Sequence, residues 1–255
     1  MIPNPILKVL SSMAAHQVHC LLMGGQACVF YGAAEFSRDS DFAILAEEGN
    51  LARLRLALKE LQAEVIAVPP FDVEFLTRGH AVHFRCRHPE CAGLRVDVMS
   101  VMRGVDPFPA LWERRTSLEL ADGTVCHLLS VPDLVLAKQT QRDKDWPMIR
   151  RLLEADYFAW RHRREQEPRP EFWLKALRTS ALLLEVAGTF AGAAARVARA
   201  RPLLRLAIAG DEAGLQVALE LEEQEIRTLD RDYWLPLKKE LEALRRERGR
   251  QGAAD

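Results

Sequence analysis

The chain has 255 residues, 49% of them hydrophobic and 28% charged, with a formal net charge of −1. That length allows one large core or two modest ones. The near-zero charge excludes a surface that binds nucleic acid all over and confines any such contact to a local basic face. No run reaches the roughly 18 uninterrupted apolar residues that a bilayer span requires, so no membrane partner is expected. Met1 to Lys8 lacks the charged head and apolar stretch of a signal peptide. Five cysteines, an odd number without a repeated spacing, fit reduced thiols and a cytoplasmic protein.

In chain order, Ile6 to His16 has the periodicity of a helix, and Val18 to Met23 that of a strand buried on both faces. Gly24 and Gly25 turn the chain into a short helix, Gln26 to Tyr31, closed by Gly32. Asp39 to Leu45 is a second strand. Asn50 is placed as the N-cap of a helix running through Leu61, with Leu51, Leu54, Leu58 and Leu61 on one face. Ala81 to Arg87 and Leu94 to Val101 pair through a loop containing Pro89 and Gly93. Thr116 to Leu120 and Thr124 to Leu128 form a hairpin around Asp122 and Gly123. Ser130 caps a helix beginning near Pro132, with Asp133 in its first turn. The segment Gln166 to Pro170 reads as a linker. Beyond it, Glu171 to Arg201 gives one helix or two, and Asp211 to Leu221 and Leu235 to Arg248 give others. Trp173, Leu174, Leu182, Leu183 and Leu184 read as helical core. The fold class is α/β (α+β): residues 1–160 form a mixed sheet flanked by helices, and residues 170–255 a helical C-terminal domain.

Chemistry concentrates in a few acids. Asp39 and Asp41 stand two apart on a strand, so both carboxylates share one face. Such a pair repels itself unless a cation compensates it, and a hard divalent ion is the usual answer. Asp97, set among apolar residues in Leu94 to Met99, reads as a third strand-borne acid. His83, Cys86, His88 and Cys91 have ligand types that suit zinc, yet their spacing does not match paired zinc motifs, and a strand with its connecting loop explains them.

The order of these features resembles the polymerase-beta-like nucleotidyltransferase superfamily: Leu22-Met23-Gly24-Gly25, thirteen residues, Asp39-Ser40-Asp41-Phe42, then Asp97 on a later strand. Ser37 to Phe42, together with Ser130 to Leu134 and the following Lys138, Arg142 and Asp145, resembles AbiEii-type proteins of abortive-infection and type IV toxin–antitoxin systems. The resemblance covers about residues 15 to 155. Ser40 departs from it, standing between the acids where an apolar residue is usual. A second register would align Ser40-Asp41-Phe42-Ala43 with a Ser-Asp-x-Asp pattern, at the expense of the second acid, and the first register is preferred because it keeps both carboxylates.

What the resemblance implies is a nucleotidyltransferase fold and transfer of an NMP from an NTP to an acceptor hydroxyl. Asp39, Asp41 and Asp97 would be the catalytic residues and hold two Mg²⁺ ions. Gly24 and Gly25, with Ser37 and Arg38, would approach the phosphates, and Lys138, Arg142 and Lys144 would neutralise triphosphate charge. The alternative for the last three is a solvated helix face paired with Asp133, Asp143 and Asp145. An RNA acceptor, particularly a tRNA 3′ end, and a cognate antitoxin are the implied partners, with protein or small-molecule acceptors behind them. Arg196, Arg199 and Arg205, and Arg245 to Arg250, could guide an RNA backbone or merely solubilise the helical tail. A nucleotide-sensing or partner-binding protein that has lost transfer chemistry is the reading from another class.

Overall fold

The computed structural model describes residues 5–163 and 169–251. Its strands are β1 (Cys20–Met23), β2 (Asp39–Ile44), β3 (Glu64–Val65), β4 (Val82–Arg85), β5 (Arg95–Met99), β6 (Thr116–Glu119) and β7 (Val125–Leu128). They form one mixed sheet in the order β3-β4-β5-β2-β1-β7-β6. The pairs β2/β5 and β1/β7 are parallel; the other neighbours are antiparallel. The helices are α1 (Pro5–Ala15), α2 (Gly24–Phe30), α3 (Glu48–Glu60), α4 (Val73–Thr77), α5 (Phe108–Glu113), α6 (Val131–Lys138), α7 (Asp145–Trp160), α8 (Arg169–Ala176), α9 (Ser180–Thr189), α10 (Ala191–Val197), α11 (Leu204–Ala209) and α12 (Glu212–Gln251).

The expected mixed α/β architecture is present, and the two central strands show why it forms where it does. β1 is buried along its whole length, and Leu21, Leu22, Phe42, Ile44, Val96 and Val98 are at most 1% exposed. Each such side chain contributes roughly 1.5–3 kcal/mol relative to exposure. α3 covers the sheet with Leu51, Leu54 and Leu58, all buried as their spacing predicts. Lys8 and Ser12 of α1 and His16 just beyond it converge on Glu60, at 2.5, 3.0 and 2.9 Å, and fasten α1 to the end of α3.

Several expectations need correction. Asn50 is not an N-cap: it lies inside α3, buried, its amide donating to the carbonyls of His19 at 3.0 Å and Leu45 at 2.8 Å while its oxygen accepts from the His19 amide at 2.8 Å. The side chain therefore clamps the loop around β1 to the end of β2. Ser130, by contrast, does cap α6, accepting from the Asp133 amide at 3.3 Å. Glu171 to Arg201 breaks into α8, α9 and α10, and Asp211 onward is one helix, α12, continuous through Pro236. Of the proposed linker, residues 166–168 lie outside the described residues, and Arg169 and Pro170 already belong to α8.

The chain divides into two compact units, and the division differs from a cut near residue 160: the first unit holds Met1–Phe30, Ala34–Ala137 and Tyr233–Asp255, the second Tyr31–Ala33 and Lys138–Asp232. The physical reason is α12, whose C-terminal half carries Glu240 to His80 (2.7 Å) and to Arg78, and places Tyr233 against Gly79. In the second unit Arg201 is the central polar group. It donates to the carbonyls of Leu174 at 2.8 Å and Leu177 at 3.0 Å, which α8 leaves unpaired, and to Glu222 at 2.8 and 3.0 Å. Trp173, Leu174 and Leu183 are fully buried around it, while Leu182 and Leu184 are only half-buried. All five cysteines are buried and free. Among the described residues no single helix is long and apolar enough to cross a membrane, and the apolar pair α9 and α10 is bent by 113°.

Candidate metal centre

Strand register brings the acids together. Asp41 pairs across the parallel β2/β5 ladder with Asp97, and Asp39 with Arg95, while Asp97 pairs across the antiparallel β4/β5 ladder with His83. Residues directly opposite share a sheet face. One row across that face therefore reads Met23, Asp41, Asp97, His83, and the next begins Asp39, Arg95. One oxygen from each of Asp39, Asp41 and Asp97 lies within 4.8 Å of the others. This is the reach of carboxylates that share cations. Ser40 points to the opposite face and is fully buried, while Asp39 and Asp41 share the face that Asp97 joins.

The glycine pair is explained by these acids. Gly24 has φ +66°, and a Cβ there would sit 1.8 Å from Asp41 Oδ2; a Cβ on Gly25 would sit 2.7 Å from Ser37 Oγ. Only glycine lets the turn from β1 into α2 pass this close to a carboxylate. Ser37 Oγ in turn donates to Asp39 Oδ1 at 3.0 Å and lies 3.1 Å from the Asp39 carbonyl. It thereby holds the first acid in place. Arg38 is exposed on the loop entering β2.

Two groups that the sequence reading left out of the site belong to it. Arg95 Nη2 donates to Asp97 Oδ2 at 2.6 Å and lies 3.4 Å from Asp39 Oδ2. Its partial burial acts to lower its pKa, but the hydrogen bond to Asp97 and the charges of Asp97, Asp39 and Asp41 hold it above the ordinary value. His83 Nδ1 lies 2.9 Å from Asp97 Oδ1, yet neither atom makes a hydrogen bond. Alternation along β4 and β5 was readable; the cross-strand register that makes these residues neighbours was not.

Most of the other predicted ligands have partners of their own. Lys138 is 5% exposed and its ammonium faces Asp145 at 3.4 Å. Asp145 also accepts from Thr140 Oγ1 at 2.6 Å and Arg142 Nε at 2.7 Å. Burial pushes the Asp145 carboxyl up, but the Lys138 charge, the Thr140 hydrogen bond and Arg142 outweigh it and hold the group below its ordinary value. Lys144 is exposed at the start of α7. The zinc-type set does not share one site either: Cys86 and Cys91 face each other in the core, burial pushing Cys86 up to about 12, while His88 Nδ1 accepts from the Glu90 amide and His83 turns to Asp97.

The donor set of the acid face is chemically suited to a divalent ion. Three carboxylates face one guanidinium, and Asp97, 6% exposed, keeps Oδ1 without a donor. A buried carboxylate oxygen left so costs at least about 1–3 kcal/mol. A cation would remove that cost. No protein-family model matches the chain, and comparison with curated proteins finds no significant match.

Proposed function

We propose that the chain is a divalent-cation-dependent nucleotidyltransferase that moves an NMP from an NTP to an acceptor hydroxyl. The observation that carries this reading is the convergence of Asp39, Asp41 and Asp97 on one sheet face, directly beside a turn that passes Asp41 so closely that only glycine fits there. Asp39 and Asp41 would hold the cations, and Asp97 would help hold one of them and orient the attacking hydroxyl. When bound, divalent ions such as Mg²⁺ polarise the α-phosphoryl group and offset its developing charge. The acceptor hydroxyl oxygen forms the new bond to the α-phosphorus and gives up its proton to solvent water, the bond to the bridging oxygen breaks, and pyrophosphate leaves with that oxygen. Ser37 fixes Asp39, and Gly24 keeps the approach to Asp41 open. Arg38 is the exposed cation nearest in sequence for phosphate contact. Lys138 is not assigned that role, because its buried charge is matched by Asp145.

An RNA acceptor, a tRNA 3′ end first, and a cognate antitoxin follow from the AbiEii resemblance alone. A second reading, a nucleotide- or partner-binding protein without turnover, is favoured by Arg95, which already bridges Asp39 and Asp97. Incubation with each labelled NTP, total tRNA and Mg²⁺ or Mn²⁺, with and without EDTA, separates the two. Transfer predicts cation-dependent label in RNA or protein, reduced at least about 10³-fold, or about 4 kcal/mol, by Asp41→Asn with the thermal transition retained. Equilibrium NTP binding without incorporation would favour the second reading. Transfer unaffected by Asp41→Asn would remove Asp41 from the site.

A further inference from the structure

Two atoms at the edge of the acid face lie close together without a hydrogen bond between them. Asp97 Oδ2 is held by Arg95 at 2.6 Å. That bond fixes the rotation of the carboxylate. Oδ1 is consequently turned away from Arg95, is buried, and makes no hydrogen bond. His83 Nδ1, on the neighbouring strand, is buried and makes no hydrogen bond either, 2.9 Å away. The pairing of His83 with Asp97 in the β4/β5 ladder sets this approach through the backbone rather than through a chance rotamer.

A histidine and a carboxylate at this distance normally share a proton along the line between them, and here they do not. Their separation matches another arrangement. Two ligands at right angles on one cation, each about 2.0–2.2 Å from it, stand about 3.0 Å apart. The observed 2.9 Å is therefore that of neighbouring ligands. An oxygen and a nitrogen donor, both desolvated and both unsatisfied, each lower their cost by binding one ion.

We propose that His83 is a nitrogen ligand to the cation held by the acid face, so that this site takes a first-row transition ion, Mn²⁺ in particular, in preference to Mg²⁺. The inference rests on the reading that Asp39, Asp41 and Asp97 hold a cation. Its chemical basis is the donor set: Mg²⁺ is hard and seeks oxygen, imidazole suits transition ions, and carboxylates suit Mn²⁺ as well as Mg²⁺. Three carboxylates and one imidazole therefore discriminate where three carboxylates alone would not. His83 is also one-third exposed on its side chain, which leaves its ring room to turn toward an entering ion.

The test uses the full chain and Mn²⁺ alone as probe. Free Mn²⁺ is titrated by electron paramagnetic resonance, Mg²⁺ is used as competitor, and the bound Mn²⁺ is examined by electron spin echo for coupling to a directly bonded nitrogen. The wild type is expected to bind Mn²⁺ at least about 10-fold more tightly than Mg²⁺ and to show the nitrogen coupling. His83→Ala should abolish the coupling and weaken Mn²⁺ by about 10-fold or more, while changing Mg²⁺ less than about 3-fold. His83→Gln, which keeps polar volume without a ring nitrogen, should do the same and serves if the alanine variant does not fold. The inference is overturned if bound Mn²⁺ shows no nitrogen coupling, if the coupling survives in His83→Ala, or if both ions weaken equally. Asp41→Asn separates the two readings: binding lost there but normal in His83→Ala leaves the acid site standing and removes His83. Absence of Mn²⁺ binding to the wild type at millimolar concentration overturns both.

Discussion

Two charged clusters in this chain look alike in composition and differ in balance. At Asp145, one carboxylate meets Lys138, Arg142 and the Thr140 hydroxyl, all within 3.4 Å. At the acid face, three carboxylates converge, Arg95 serves Asp39 and Asp97, and Asp97 Oδ1 makes no hydrogen bond. The first cluster is closed. The second carries surplus negative charge that folding alone would not favour. A buried network whose members are all satisfied is accounted for by structure, whereas one with a surplus and an orphaned atom needs a ligand to account for it.

The sharpest way to break that contrast is to remove the acid from the closed cluster. Asp145→Asn leaves the Lys138 ammonium buried without its counter-charge, and breaking a buried pair in this way costs about 3–5 kcal/mol. Thermal or urea unfolding should show that loss, and Lys138→Met in the same background should restore part of it. The pH dependence follows in sign. The folded Asp145 carboxyl is held below its ordinary value by Lys138, Thr140 and Arg142 against the opposing effect of burial. Its contribution is complete above the unfolded pKa of about 3.9 and is lost as pH falls through the lower folded value. Wild type should therefore carry an acid limb of instability that Asp145→Asn lacks. An unchanged stability in Asp145→Asn would show that the cluster is not the closed knot described here.

The contrast also explains what could be read from residues alone. Asp39, Asp41 and Asp97 were visible because strand alternation and an apolar setting are local properties, as were the β6/β7 hairpin and the Ser130 cap. Arg95 and His83 were not, because their roles depend on which residue lies opposite on another strand. Asn50 was misplaced because its type favours a cap, whereas burial beside His19 and Leu45 gave its amide better partners. Asp211 to Leu221 and Leu235 to Arg248 read as separate helices, with 222–234 between them and Pro236 in the first turn of the second, where its missing amide is tolerated. The helix continues there, with Leu237 buried and Glu240 tied to Arg78 and His80. The phosphate role of Lys138 rests on the resemblance; an acid partner for it is legible in the sequence, whereas its burial emerges only in three dimensions.

A smaller effect is expected at the glycine turn. Gly24→Ala places a methyl group 1.8 Å from Asp41 Oδ2 and forces a non-glycine residue to φ +66°. The strain of that backbone region alone is about 1–3 kcal/mol, and the carboxylate must also move. Cation affinity should fall together with stability. Gly93→Ala meets the same backbone constraint at φ +83° with nothing within 4 Å, so it should lose stability while cation affinity stays at the wild-type value. Equal cation affinity in both variants would mean that the glycine turn does not set the position of Asp41.

The smallest effect comes from Arg95, whose guanidinium pairs with Asp39 and Asp97, and it tests the balance directly. Arg95 is 44% exposed on its side chain, so its ion pairs are partly screened and worth about 0–1 kcal/mol. Arg95→Met removes the charge but keeps much of the stem. Without added cation the repulsion among the three carboxylates then rises, and the melting temperature should fall by a few degrees. With Mn²⁺ or Mg²⁺ present the order should reverse: the gain on adding cation exceeds that of wild type, because no guanidinium competes for Asp39 and Asp97. Arg142→Met supplies the comparison. Its guanidinium is 57% exposed and serves Asp145, so its loss should lower stability by a similar small amount and leave the response to cation unchanged. If the two variants respond to cation alike, the surplus charge on the sheet face is not what draws the ion, and the distinction between the open and the closed cluster fails.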